Sequence, residues 1–140
     1  MVFGVAFYSY LKRASPRVAF RDLAPERVAV ALDGRPVLAD FGDAKPIESL
    51  SHTLCGTPEF VAPEMARGVG HDAAVDSWGL GVLAHDLLAG ATPFKASSVD
   101  RTLALVARGA VPQAARAELE RARARVAELE AEVARLKEGK

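Results

Sequence analysis

Two aspartates eighteen residues apart, Asp22 and Asp40, stand in the two short stretches of this 140-residue chain whose residue types and spacing could do chemistry. The first lies in Phe20-Arg21-Asp22-Leu23-Ala24-Pro25-Glu26-Arg27 and the second opens Asp40-Phe41-Gly42; Ala62-Pro63-Glu64 ends 24 residues after Asp40. An ionised carboxylate only accepts: it can take a proton, ligate a hard cation or bond nearby main chain. In isolation Asp22 reads as a loop aspartate bonded to its own backbone, and a lone Asp-Phe-Gly says little. Cys55, the single cysteine, excludes an internal disulfide and a multi-cysteine zinc site. It fits a small packed residue in a reducing compartment, hence a cytoplasmic chain. His71 and His85 have no metal-ligand spacing, so no chemistry is assigned to them.

The elements that must position these residues follow from composition and pattern. Half the residues are apolar, and 18 basic side chains balance 18 acidic ones, which argues against disorder and against an electrostatic nucleic-acid binder. No apolar run is long enough to span a bilayer. Met1 to Leu11 is apolar but precedes Lys12-Arg13, the reverse of a signal peptide, and reads as a buried helix end stopped at Ser15-Pro16. Val28 to Leu32 and Arg35 to Ala39, joined by Asp33-Gly34, predict a β-hairpin. Residues 42 to 62 show no periodicity and predict a long loop. Val75 to Leu88 predicts a helix buried all round, with Asp76 able to cap its start, and Val99 to Arg108 a shorter one.

All 8 prolines and every aromatic residue fall before Gln113, after which the chain is almost wholly Ala, Arg, Glu, Leu and Val. In that tail Leu119, Ala122, Val126, Leu129, Val133 and Leu136 form a heptad seam. A parallel dimer would set Glu118 against Arg123, Arg125 against Glu130 and Glu132 against Lys137, all opposite in sign. Residues 115–138 are therefore expected to pair with a second copy, the alternative being a single solvated helix with one apolar stripe.

Taken in order, the Arg21-Asp22, Asp40-Phe41-Gly42 and Ala62-Pro63-Glu64 motifs resemble those of the protein kinases. Thr53-Leu54-Cys55-Gly56-Thr57-Pro58-Glu59-Phe60-Val61 and Val75-Asp76-Ser77-Trp78-Gly79-Leu80-Gly81 narrow the resemblance to the cyclic-nucleotide-dependent Ser/Thr kinases of the AGC group. The resemblance implies phosphoryl transfer from ATP, with magnesium, to Ser or Thr of a protein substrate. It assigns catalytic positions to Asp22, which would accept the hydroxyl proton, and Arg21, and the metal-binding position to Asp40. Thr53 is similar to the activation-loop phosphosite, with Arg21 and Lys45 as its basic partners. Thr57 resembles the threonine that steadies the catalytic aspartate. Leu54, Pro58 and Val61 match an apolar substrate pocket, and Glu26 and Asp86 the acids that receive substrate arginine. Phe41, Gly42, Glu64 and Asp76 take structural positions, Asp76 fastening the catalytic loop from below.

Three residues depart from that pattern. Ala24 stands where the family has lysine, Arg27 where it has a metal-ligating asparagine, and Asp43 where an apolar residue is usual. Arginine has no acceptor atom and cannot bind a metal. Residues 1–112 also contain no glycine-rich loop or strand lysine, so an N-terminal lobe is expected to be missing and this chain alone is not expected to bind ATP. The expected fold is mostly α with one small β-hairpin (α+β): a partial kinase C-lobe over 1–112, then a long coiled-coil-like helix over 113–140. The expected function is that of a Ser/Thr kinase domain acting on basic-motif proteins, incomplete and inactive in this chain. The alternative is an inactive pseudokinase module that dimerises through its tail.

Overall fold

The computed structural model describes residues 18–138; the helix end expected over Met1 to Leu11 lies outside them. The order is β1 (Val18–Ala19), a 3₁₀ turn (Pro25–Arg27), β2 (Val28–Val30), β3 (Pro36–Leu38), β4 (Lys45–Pro46), α1 (Pro63–Ala66), α2 (Val75–Ala89), α3 (Val99–Ala107) and α4 (Gln113–Glu138).

The hairpin is β2 against β3, antiparallel, with Val28 opposite Leu38 and Val30 opposite Pro36. Its connection is a three-residue loop, closed by Ala31 N–H to the Arg35 carbonyl and Gly34 N–H to the Ala31 carbonyl, both at 2.8 Å. Only Gly34 is left-handed, at φ 81°, so one glycine makes the turn. A second sheet corrects the expectation of a single hairpin: β1 pairs with β4, Val18 with Pro46 and Ala19 with Lys45. Two-residue strands are too short to show alternation in sequence.

The core has two parts. Phe20, Leu23, Ala24, Phe60, Val82, Leu83, Phe94 and Val106 form one, and Ala19, Val61, Ala62, Met65 and Val75 the other. Phe20, Leu23 and Ala24 before β2 enter the first part, and residues after β4 enter both, Phe60 the first and Val61 and Ala62 the second, so both loops are anchored in the core. Trp78 stacks on Phe94 with centroids 5.4 Å apart.

Helix α2 is not buried all round. It buries Val75, Asp76, Gly79, Val82, Leu83 and His85, while Leu87 is 74% exposed. Nor does Asp76 cap it: Ala74 holds the cap position, and Asp72 turns the chain into the helix by accepting the Ala74 N–H at 2.8 Å. Ser98 caps α3, accepting the Arg101 N–H at 3.3 Å.

The first turn of α4 docks on α2. His85 is the joint, its Nδ1 2.9 Å from the Ala91 carbonyl and its Nε2 3.0 Å from the Ala115 carbonyl. Ala115 is buried, and Leu119 shares an apolar cavity with Trp78, Val82 and Phe94. Beyond that the helix is exposed, with Val126, Leu129, Val133 and Leu136 on its surface. Among the described residues no helix is long and apolar enough to cross a membrane.

Candidate active site

The loop from Phe20 to Arg27 is fixed from beneath by one buried carboxylate. Asp76 accepts the main-chain N–H groups of Phe20 and Arg21, both at 2.8 Å. Burial pushes the Asp76 carboxyl above its ordinary range, against the downward pull of those two bonds. Arg21 is left-handed, at φ 69°, a strained conformation for arginine that this anchorage holds in place. Gly56 packs against the same turn at φ 86°; a Cβ there would lie 2.5 Å from the Arg21 carbonyl oxygen.

Asp22 is fully engaged. Its Oδ1 accepts the Thr57 N–H at 2.7 Å and the Thr57 hydroxyl at 2.8 Å, and its Oδ2 accepts Arg27 Nε at 2.6 Å. Burial raises the pKa of this carboxyl, but the Arg27 and Thr57 bonds outweigh burial and hold it below its ordinary value.

Asp40, also left-handed at φ 59°, turns back toward the loop. Its Oδ1 accepts the Gly42 N–H at 3.1 Å and its Oδ2 accepts Arg27 Nη1 at 2.5 Å. One guanidinium thus joins the two aspartates, and their charges push the Arg27 pKa up, the Asp22 hydrogen bond foremost. Phe41 meets Phe20 edge to face at 5.2 Å but is 58% exposed.

The other candidates lie outside this acid pair. Arg21 donates Nε to the Asp43 carbonyl at 2.7 Å and Nη1 to the Ser51 hydroxyl at 3.3 Å, with Thr53 and Lys45 exposed. Glu26 and Asp86, 60 residues apart, line one open groove with Thr57, Glu59 and Thr92. Val61 is buried, Pro58 half-buried and Leu54 half-exposed. Glu64 is half-buried in α1. Burial raises the Cys55 thiol pKa, as suits a packed residue.

A family profile described as protein kinase domain matches residues 8–138. The chain belongs to the protein kinase family. It is 46% identical over 80 residues to the cAMP-dependent protein kinase catalytic subunit 3 of Drosophila melanogaster, covering 57% of this chain and 14% of that one. Over 94 residues it is 46% identical to the cGMP-dependent protein kinase, isozyme 1, of the same species, covering 66% and 12%. Over 104 residues it is 43% identical to the cGMP-dependent protein kinase 2 of Rattus norvegicus, covering 73% and 13%. The matched stretches are thus a small part of each relative.

Kinases of this family use ATP and magnesium, but the acid pair of this kinase chain does not fit a magnesium ion. Magnesium takes oxygen ligands. Here each carboxylate oxygen of Asp22 and Asp40 already accepts from a donor of the chain, and the side chain between them is a cation without an acceptor. Among the described residues no cluster of three or more His, Cys, Asp or Glu side chains gathers. Ala24 is wholly buried in the core and offers no polar group to a phosphate.

Sequence reading missed the bridge made by Arg27. Its signal was the arginine itself, five residues after Asp22, but the reach to Asp40 depends on the hairpin folding back. His85 carried no signal, since its two carbonyl partners are main chain.

Proposed function

We propose that this chain is the substrate-binding C-lobe part of a cytoplasmic Ser/Thr protein kinase catalytic domain, whose substrates carry arginine near the target residue. The reaction of such a domain is phosphoryl transfer from ATP to a Ser or Thr hydroxyl, with Asp22 at the position that takes the hydroxyl proton. One observation carries the reading: Glu26 and Asp86 line a single groove that reaches Thr57, and Thr57 holds Asp22. Glu26, Glu59 and Asp86 outnumber the groove's one lysine, Lys95, and favour a guanidinium over neutral side chains. Fluorescence anisotropy with a labelled Ser peptide tests it. An arginine-bearing peptide is expected to bind more tightly than its alanine counterpart, and Asp86→Asn to remove the difference; equal binding of both peptides by the unaltered chain contradicts it.

A second reading, an inactive module that keeps its docking groove, is favoured by the Arg27 bridge between the two aspartates. In either reading Thr53 is the modification site, exposed in the loop after β4, with Arg21 and Lys45 as its basic partners. Residues 115–138 pair with a second copy through the exposed stripe from Val126 to Leu136. The docking of Ala115 and Leu119 on the α2 side shortens the free seam.

A further inference from the structure

We infer that Arg27 is an internal cation that takes the place of a divalent metal between Asp22 and Asp40, so that this acid pair neither loads a metal ion nor leaves Asp22 free to accept a proton. The inference rests on the reading of Asp22 and Asp40 as the acid pair of a kinase site.

Geometry supplies the first support. Arg27 Nε lies 2.6 Å from Asp22 Oδ2 and Nη1 2.5 Å from Asp40 Oδ2, so a single planar group spans both acids. Such charge-assisted contacts are short and strong, and the guanidinium fork is rigid. The second support is satisfaction. The remaining oxygens are held by Thr57 and Gly42, so a metal would have to displace the chain's own donors.

Charge is the third. Two carboxylates alone carry two negative charges and attract a divalent ion; with arginine between them the group retains one, and an arriving cation meets a fixed positive charge at the entrance. The Asp22 side chain is 4% exposed and that of Arg27 34%, so the Asp22 half of the bridge is shielded while the Asp40 half faces solvent. Arginine stays protonated throughout the physiological range, so the block does not switch with pH there.

Manganese(II), a paramagnetic probe for a magnesium site, is titrated into the full chain and into Arg27→Asn and Arg27→Gln, with bound ion read from loss of the free-ion resonance. The unaltered chain is expected to show no saturable site at low millimolar ion. Both variants should gain one at least about tenfold tighter, lost again when Asp40→Asn is added. Equal binding by unaltered chain and variants overturns the inference while leaving the acid pair as a metal site. Binding by none of them overturns the inference and the reading of the pair together. Because Asp22 loses its cation in these variants, the unaltered chain also decides alone through carbon-13 spectra of its aspartate carboxyls. The Asp22 and Asp40 resonances should stay fixed as magnesium is added, and a saturable shift at Asp40 overturns the inference.

Discussion

Asp76 accepts the main-chain N–H of Arg21 at 2.8 Å, across 55 residues of sequence, and Arg21 holds a left-handed φ of 69° at that point. The carboxylate thus orders the turn that presents Asp22 one residue later. Asp76→Ala leaves the N–H groups of Phe20 and Arg21 without their acceptor, and an orphaned buried donor costs about 1–3 kcal/mol. A loss of about 2–5 kcal/mol in urea unfolding is expected. Asp76→Asn keeps one acceptor oxygen and should lose less.

Gly56→Ala tests the other side of the same turn. Its Cβ would sit 2.5 Å from the Arg21 carbonyl, at a φ of 86° that L residues rarely adopt. Strain and clash together should lower stability by about 2 kcal/mol or more and weaken peptide binding, as read by denaturation and anisotropy. Gly34→Ala, whose Cβ meets nothing, is the control: the same kind of φ without the clash, and a smaller loss.

Acid should loosen the Asp22 contacts. Burial raises this carboxyl, but Arg27 and Thr57 bring it below its ordinary value of 3.8. The unfolded chain therefore takes up a proton at Asp22 first as pH falls, and between that value and the lower folded one stability declines with falling pH. Above it the contribution is fully present. Asp22→Asn should flatten this part of the stability curve between the two values; an unchanged slope contradicts the assignment.

Helix α4 should carry association. Val126, Leu129, Val133 and Leu136 are all exposed, at 41%, 43%, 48% and 68%, and flanking charges match across a parallel pair. Sedimentation equilibrium is expected to give a dimer mass for the chain and a monomer mass for Leu129→Asp with Val133→Asp. A monomer mass for the unaltered chain contradicts this.

Local signals made much of the fold readable. Asp33-Gly34 between β-rich runs marks the hairpin, and the proline-free Ala, Glu, Leu and Arg tail marks α4. What escaped depends on contacts far apart in sequence. The pairing of Val18–Ala19 with Lys45–Pro46 is too brief for a pattern. For Asp76 the residue pattern alone suits a cap of its own helix, and only the kinase resemblance sets it beneath the loop, where its carboxylate accepts from Phe20 and Arg21. At the candidate site the residue types at 22, 27 and 40 were visible, but not that one guanidinium reaches both acids. That depends on Asp40 taking a left-handed turn after β3.

The docking of α4 hangs on His85, whose ring faces two carbonyl acceptors. A neutral imidazole has one N–H and can satisfy only one of them at a time. His85→Phe removes the one hydrogen bond that the neutral ring donates, at about 1 kcal/mol. Amide exchange in the first turn of α4 should rise while that of the hairpin stays unchanged.

The most direct test of the account is an isotope-transfer assay with the full chain, magnesium, ATP and the arginine-bearing Ser peptide, run beside Asp22→Asn. With Arg27 closing the acid pair, the chain should transfer no more phosphoryl group than the variant. Transfer by the unaltered chain that Asp22→Asn abolishes would contradict the account, since Asp22 would then be free to act.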